Sequence, residues 1–402
     1  MLEKRFHVEY TQRVLFTRHA FDVENKTLRQ LVLAAREGEG DGRPTKALAF
    51  IDSHVAQANP RLLTDLEDYA AAHADAFTLA APSVIIPGGE PCKNDFGLVQ
   101  ECWQQINDAG IDRHSQVFVI GGGAALDLVC FAAATAHRGI RHVRFPTTTL
   151  SQGDGGVGVK NGVNFFGKKN WVGSFAVPYA IVNDFAFLDS LPARQKRCGL
   201  IEAIKVALIR DASFYGWLES NATLLARLDR EVVEEAVRSS AAQHVEHIST
   251  SGDPFERGSA RPLDFGHWVA HKLEQVSNFQ IEHGEAVAIG MAVDLLYSVK
   301  AGILNALTAE RIIDFIEEVG FATFSSHLLE LTPSGEFVIL AGLEEFREHL
   351  GGELTITLVP EIGRKIEVHE MDRDLIMEAV QELQKSGRAF GQAKLPSSLV
   401  HA

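Results

Sequence analysis

The sequence predicts an α/β domain over residues 1–192 followed by a mainly α-helical domain over residues 193–402, and three observations carry that expectation. Up to Asp184, short β-branched and aromatic runs alternate with helix-length amphipathic runs, the pattern of a parallel sheet with crossover helices. The apolar run 117–120 leads directly into Gly121, Gly122 and Gly123 and then an apolar helical stretch, 124–136. Such a turn brings backbone N–H groups and a helix N-terminus up to a phosphate, although any tight strand-to-helix turn also favours glycine. After Leu191 and Pro192 the periodicity turns helical, with few strand signals.

In chain order, residues 5–16 alternate apolar and polar and read as a strand or hairpin. Residues 47–52 read as a buried strand ending on an acid, 55–72 as a helix, 77–86 as a strand closed by a turn at 87–90, and 95–109 as a helix. Residues 142–146 are a further strand, and Thr147, Thr148 and Thr149 open a glycine-rich loop, SQGDGGVGVKNGVNFFGKKN. In an otherwise acidic chain, its Asp154, Lys160, Lys168, Lys169 and Asn170 gather the charge and hydrogen-bonding groups that a phosphate site needs. The alternative is a solvated hairpin, which so many polar residues between turn glycines disfavour. Residues 180–184 close this half as a strand. Helices are expected at 193–209, 232–249, 261–276, 285–301, 308–319 and 371–385, a strand at 354–359, and a loosely attached tail after Ser386.

A net charge of −15 argues against a nucleic-acid partner, because phosphodiesters would be repelled. No apolar run reaches membrane-spanning length, and MLEKRFHVEY lacks the apolar core of a signal peptide, so the expected compartment is the cytoplasm. The four cysteines show no CxxC spacing, and Cys130 reads as a small core residue.

The most informative stretch is DFGHWVAHKLEQVSNFQIEHGE, residues 264–285. His267 and His271 lie four apart in an apolar-periodic run, which puts both imidazoles on one helix face. His283 follows a polar break, so two helices could aim His267 and His283 at one centre. A carboxylate from elsewhere would complete three zinc ligands and leave a position open. In a chain with sixteen histidines, surface or core histidines are the other reading. Glu202 sits in an apolar run three residues before Lys205; an ion pair and a metal ligand are both open readings there.

Together, GGGAALDL (121–128), HRG (137–139), PTTTLSQGDGGVGVKNGVN (146–164), GKKN (167–170), LPARQKRCGLIEAIK (191–205), DFGHWVAH (264–271) and HGEAVAIGM (283–291) resemble the sugar-phosphate cyclase superfamily, which includes 3-dehydroquinate synthase. The resemblance implies a Rossmann-like NAD-binding domain, a helical metal-binding domain, a site in the cleft and a homodimer. It implies that Glu202, His267 and His283 bind the metal, normally zinc, although cobalt or manganese would suit the same set. It places NAD on Gly121, Gly122 and Gly123, with Asp52, Glu90, Lys93, Asp127, Thr147, Thr148 and Ser190 as further contacts. It turns Asp154, Lys160, Asn170, Lys205 and His271 toward the substrate as catalytic groups and gives Lys169 a share of its binding. It brings Arg138 to the substrate phosphate from the partner subunit.

The chain departs from 3-dehydroquinate synthase where that enzyme grips a carboxylate with a lysine and an arginine upstream of an NFGH segment. Aligned without gaps from His267, those positions hold Glu246 and Ala260, and the asparagine becomes Asp264; Arg261, one residue away, is the possible replacement cation. A similar loss marks the 2-epi-5-epi-valiolone synthases, which take sedoheptulose 7-phosphate, although those commonly have proline where this chain has His271. The segment 342–359 diverges from both, and Arg347 is its candidate phosphate-binding cation. The expectation is therefore a separate branch of secondary metabolism acting on a ketose phosphate with a neutral head. The alternatives are 3-dehydroquinate synthase itself, a metal-dependent NAD polyol dehydrogenase of the same architecture, and a catalytically silent ligand- or partner-binding homologue.

Overall fold

The computed structural model describes residues 1–35, 43–255, 263–349 and 352–391. The chain divides into two compact units, Met1–Pro192 with His244–Phe255, and Ala193–Gln243 with Glu256–Ala402. In the first, the strands are β1 (Val14–Thr17), β2 (Thr45–Asp52), β3 (Phe77–Leu79), β4 (Val84–Ile86), β5 (Gln116–Gly121), β6 (Arg141–Pro146), the hairpin β7 (Lys160–Phe165) and β8 (Lys168–Phe175), and β9 (Ala180–Asp184). All but the hairpin join one parallel sheet in the order β1-β9-β6-β5-β2-β3, with β4 also on β2. Its helices are α1 (Thr27–Ala35), α2 (Ser53–Ala58), α3 (Leu62–Ala72), α4 (Phe96–Asp108), α5 (Gly123–Thr135) and α6 (Ala186–Asp189). The α/β expectation holds.

The sheet is apolar on both faces because both are covered. Ala47, Ala49 and Ile51 of β2 pack with Leu31 and Leu66 on one side, while Leu48 and Phe50 pack with Val99 and Val129 on the other. The aligned C-terminal ends of β2, β5 and β6 bring Asp52, Gly121 and Thr147 to one edge of the sheet, where ligands of open α/β sheets bind.

Several local expectations are corrected. Residues 5–13 form no strand: Phe6, Val8 and Tyr10 are exposed, and alternation favours a strand only when one face is buried. The helix expected at 55–72 breaks at Asn59, which Pro60 forces out of helical geometry, and Pro82 lies in the gap that splits the strand at 77–86. The glycine-rich segment is a π-helical turn, Ser151–Gly155, followed by the β7–β8 hairpin, which is not fully solvated, since residues 161–164 of β7 are buried. Its glycines serve strand approach: a Cβ on Gly173 would lie 2.6 Å from Asn161 O.

The second unit holds α7 (Ala193–Cys198), α8 (Leu200–Arg210), α9 (Ala212–Ser220), α10 (Ala222–Ala226), most of α11 (Arg230–Thr250), α12 (His267–Val276), α13 (His283–Lys300), α14 (Ala306–Val319), α15 (Ala341–His349), the hairpin β10 (Ile356–Glu361) and β11 (Arg364–Val368), and α16 (Arg373–Ser386). The helix expected at 193–209 parts at Gly199, a weak helix former. The helix expected from Arg261 begins instead at His267, and Ala260 and Arg261 lie outside the described residues. The tail expected to be loose after Ser386 is held at its start, where Arg388 O accepts from Thr323 N at 2.9 Å and Phe390 N donates to Phe324 O at 2.8 Å; from 392 onward it lies outside the described residues. Helix α13 is buried on every side from Ala286 to Ser298, with Asp294 its one charged residue there, and is packed by α8, α12, α14 and α16. No described helix is long and apolar enough to cross a membrane.

Strand β6 carries a buried histidine. Burial, with the nearby Arg144 guanidinium, pushes His142 down to about 3, so it is neutral in the fold. The unfolded chain takes up its proton near 6.5, so this contribution to stability is complete above that pH and is lost as pH falls toward 3. Between pH 7 and pH 5, His142→Leu is expected to lose about 2 kcal/mol less stability than the parent, read from urea unfolding at both pH values. Parallel pH profiles would refute it.

Candidate active site

Glu202 on α8, His267 on α12 and His283 on α13 point ligand atoms at one another within 4.8 Å. His283 Nε2 lies 3.5 Å and His267 Nε2 4.0 Å from Glu202 Oε1. Two metal–ligand bonds at a tetrahedral angle span about 3.4 Å, so the three donors fit one zinc-sized ion. The other carboxylate oxygen, Oε2, is paired with Lys205, whose side chain is 2% exposed. The two open readings of Glu202 are therefore compatible: one oxygen faces Lys205 and the other faces the histidines.

Helix contact sets this geometry. Gly266 has φ +78° and caps the N-terminus of α12. A Cβ on Gly266 would lie 2.6 Å from Met291 N, and one on Gly290 would lie 2.0 Å from Gly266 O. Only glycine at both positions lets α12 and α13 approach so closely. Asp294 of α13 accepts the Gly266 N–H at 3.1 Å and the Trp268 indole N–H at 2.9 Å, pinning the residues either side of His267. Burial lowers His267 to about 4 and His271 to about 3, so both keep a lone pair free of its proton. Burial also opposes charge on His283, but in the metal-free fold Glu202 and Glu274 outweigh it and raise that ring to about 10, so an ion entering beside Glu202 takes the place of the Nε2 proton. His271 stands beside the metal set, its ring 5.6 Å from that of His267, and the half-buried Asp264 acts on it electrostatically.

In the first unit, Asp52 caps α2 through the His54 N–H, and Gly88 passes so close that a Cβ would lie 2.1 Å from Asp52 Oδ1. Gly121 is as confined, its Cβ position 2.7 Å from Ala125 Cβ, and that of Gly122 is 3.4 Å from Thr148 Cγ2. At Gly123, the first residue of α5, a Cβ would meet nothing within 4 Å. This open space over a helix N-terminus, beside the buried Thr147 and the Thr148–Ser151 pair, suits a dinucleotide phosphate. Lys93 joins Asp127 at 2.7 Å to Asn170, and Glu90 accepts from Asn164 Nδ2 at 3.0 Å. Ser190 donates to Phe187 O within its own turn. Lys160, Lys168, Lys169 and Arg138 are exposed, Arg138 at φ +64°.

Two candidates fall elsewhere. Glu246 is on the exposed face of α11, so it does not occupy an inward lysine position; His244, two residues earlier, is the buried one, its Nε2 3.1 Å from Asp154 Oδ1. Helical geometry separates residues i and i+2 by about 200°, which an ungapped count cannot foresee. Arg347 is half-buried and held by Glu344 and by Gly352 O at 3.0 Å. Sequence reading missed His244 and Glu274. The signal for Glu274 was available: it lies seven residues after His267 on the same helical stripe.

The family models for the N-terminal and C-terminal parts of 3-dehydroquinate synthase match residues 83–198 and 199–333. The chain belongs to this family, within the sugar-phosphate cyclase superfamily. Among relatives, the 3-dehydroquinate synthase of Halorhodospira halophila is 34% identical over 81% of this chain and 90% of its own. That of Desulforamulus reducens is 35% identical over 69% and 75%. The structure of 2-epi-5-epi-valiolone synthase from Streptomyces hygroscopicus, with NAD+ and Zn2+ bound, superposes with a TM-score of 0.80 at 26% identity, over 96% of this chain and all of the other. NADH-dependent butanol dehydrogenase A of Thermotoga maritima, at 15% identity and a TM-score of 0.64 over 94% and 98%, shares the fold alone.

Proposed function

We propose that the protein is an NAD- and zinc-dependent cyclase that converts a neutral-headed ketose phosphate of the sedoheptulose 7-phosphate kind into a carbocycle, with loss of phosphate and no net redox. The observation that carries the substrate choice is Asp264. Its main chain is fixed by the His267 N–H bond at 3.0 Å, and its carboxylate acts on His271. A carboxylate there repels an acidic substrate head and accepts hydrogen bonds from hydroxyls. The inward residue of α11 is likewise no lysine: it is His244, which faces Asp154.

When bound, NAD would take a hydride from one secondary alcohol and later return it, and the metal would polarise the alcohol and carbonyl oxygens. The ketone formed acidifies the neighbouring C–H, so phosphate leaves by β-elimination; after reduction, ring opening and an intramolecular aldol step close the carbocycle. In this reading Lys160, Lys169 and Asn170 hold the phosphate, Arg138 of the partner subunit in a homodimer adds to them, Lys205 positions Glu202, and neutral His271 exchanges a hydroxyl proton. The setting is a cytoplasmic secondary pathway.

A second reading, 3-dehydroquinate synthase, is favoured by the names of relatives at 34–35% identity. The test is phosphate release with NAD and zinc from sedoheptulose 7-phosphate and from the carboxylated heptulosonate phosphate in parallel, with NADH absorbance followed. Phosphate from the first alone, without NADH accumulation, is the expected result. Phosphate from the second alone would establish the second reading, and stoichiometric NADH would make the protein a dehydrogenase.

A further inference from the structure

Glu274 has no place in the ligand set just described, yet it is a carboxylate 6% exposed inside the second unit. Such a group is costly to bury unless something holds it. It lies on the stripe of α12 that carries His267 and His271, and its Oε2 is 3.2 Å from His283 Nδ1. The opposite nitrogen of that ring, Nε2, faces Glu202. His267 is arranged alike: Nδ1 lies 3.1 Å from Phe265 O and Nε2 faces Glu202. Both imidazoles thus have an acceptor at Nδ1 that fixes the proton there and leaves the Nε2 lone pair for an ion. His267 uses a main-chain carbonyl, and His283 uses a full charge. A second grouping, His271, Glu274 and His283, also brings its ligand atoms within 4.8 Å. As a metal site it would need His283 Nδ1 to give up the proton that Glu274 accepts.

We propose that Glu274 is a positioning residue: it holds the Nδ1–H tautomer and the ring orientation of His283, and so sets the affinity of the Glu202–His267–His283 centre for a divalent ion. The inference rests on the metal-binding part of the function proposed above and on none of its substrate chemistry. Partners of this kind commonly change metal affinity about 10–100-fold.

The test uses the full chain and Zn2+ in competition with a chelator. Glu274→Gln keeps the shape but removes the charge, and zinc is expected to bind about 10–100-fold more weakly. With Co2+ as the probe, the visible absorption band is expected to shift, because the orientation of one nitrogen ligand changes. Melting of the chelator-treated protein is expected to fall modestly, since His283 loses the carboxylate 3.2 Å from its Nδ1, and zinc affinity is therefore compared at matched folded fraction. Glu274→Asp, which retracts the carboxylate but keeps its charge, is expected to fall between parent and Gln, and it decides the matter if the Gln variant is insoluble. Unchanged zinc affinity in either variant, with a lower melting temperature of the metal-free protein, would reduce Glu274 to a structural part. Two zinc ions per parent chain, with one lost in Glu274→Gln, would make His271–Glu274–His283 a second site and overturn the positioning role. A protein that binds zinc as expected but releases phosphate from neither sugar leaves this inference standing and removes the cyclase reading instead.

Discussion

Glu202→Gln is expected to purify without stoichiometric zinc and to release phosphate at least about 10³-fold more slowly than the parent, the several kcal/mol that Lewis-acid assistance supplies. The side chain is 1% exposed and is the one anion in the ligand set, so its amide leaves two neutral histidines to hold a dication. Glutamine is the informative replacement. Alanine would also take away the oxygen that faces Lys205, an ammonium 2% exposed, and so mix lost ligation with lost packing. Metal content and phosphate release at matched folded fraction, checked by circular dichroism, separate lost ligation from lost folding. A Gln variant that keeps one zinc per chain and near-parental turnover would remove Glu202 from the centre.

The sequence was most legible where one residue type has one job. Alternating strands and helices predicted the sheet because covering both faces demands apolar runs, as β2 and β5 show. The histidines at 267 and 283 were legible because apolar periodicity fixes which way a helical side chain faces. What escaped depended on contacts remote in sequence. Gly290 is an unremarkable glycine in an alanine-rich helix until it meets Gly266 across the α12–α13 contact. Counting back from His267 assigned Glu246 an inward role without knowing how residues 256–262 carry the chain, and α11 turns His244 inward instead. Glu274 was passed over because a glutamate late in an amphipathic helix ordinarily faces water; its burial follows from His283, nine residues on.

The second large effect is expected in the first unit, from Lys93→Met. Lys93 is 4% exposed, sits 2.7 Å from Asp127 Oδ2 and 3.8 Å from Glu90 Oε1, and donates to Asn170. One ammonium therefore ties the turn at Glu90–Asn94, helix α5 and the β7–β8 hairpin together. Burial already raises the Asp127 carboxyl even though Lys93 opposes the shift, so without Lys93 it would rise further. A carboxyl raised in the fold keeps its proton after the unfolded chain has lost one. Its contribution is present below the ordinary carboxylate range and is lost as pH climbs through the window up to the folded value. Removing Lys93 widens that window upward, so the deficit of Lys93→Met should be small near pH 4 and grow to about 2–3 kcal/mol at pH 7–8, Asp127 keeping 26% of its side chain in solvent. On a unit of this size that is a drop of about 10 °C in melting temperature, with weakened NAD binding measured alongside. The paired change Lys93→Met with Asp127→Asn should recover much of the loss, because the stranded charge is then absent. A deficit independent of pH, or no recovery in the double variant, would mean that Lys93 acts through packing of its methylene chain and not through Asp127.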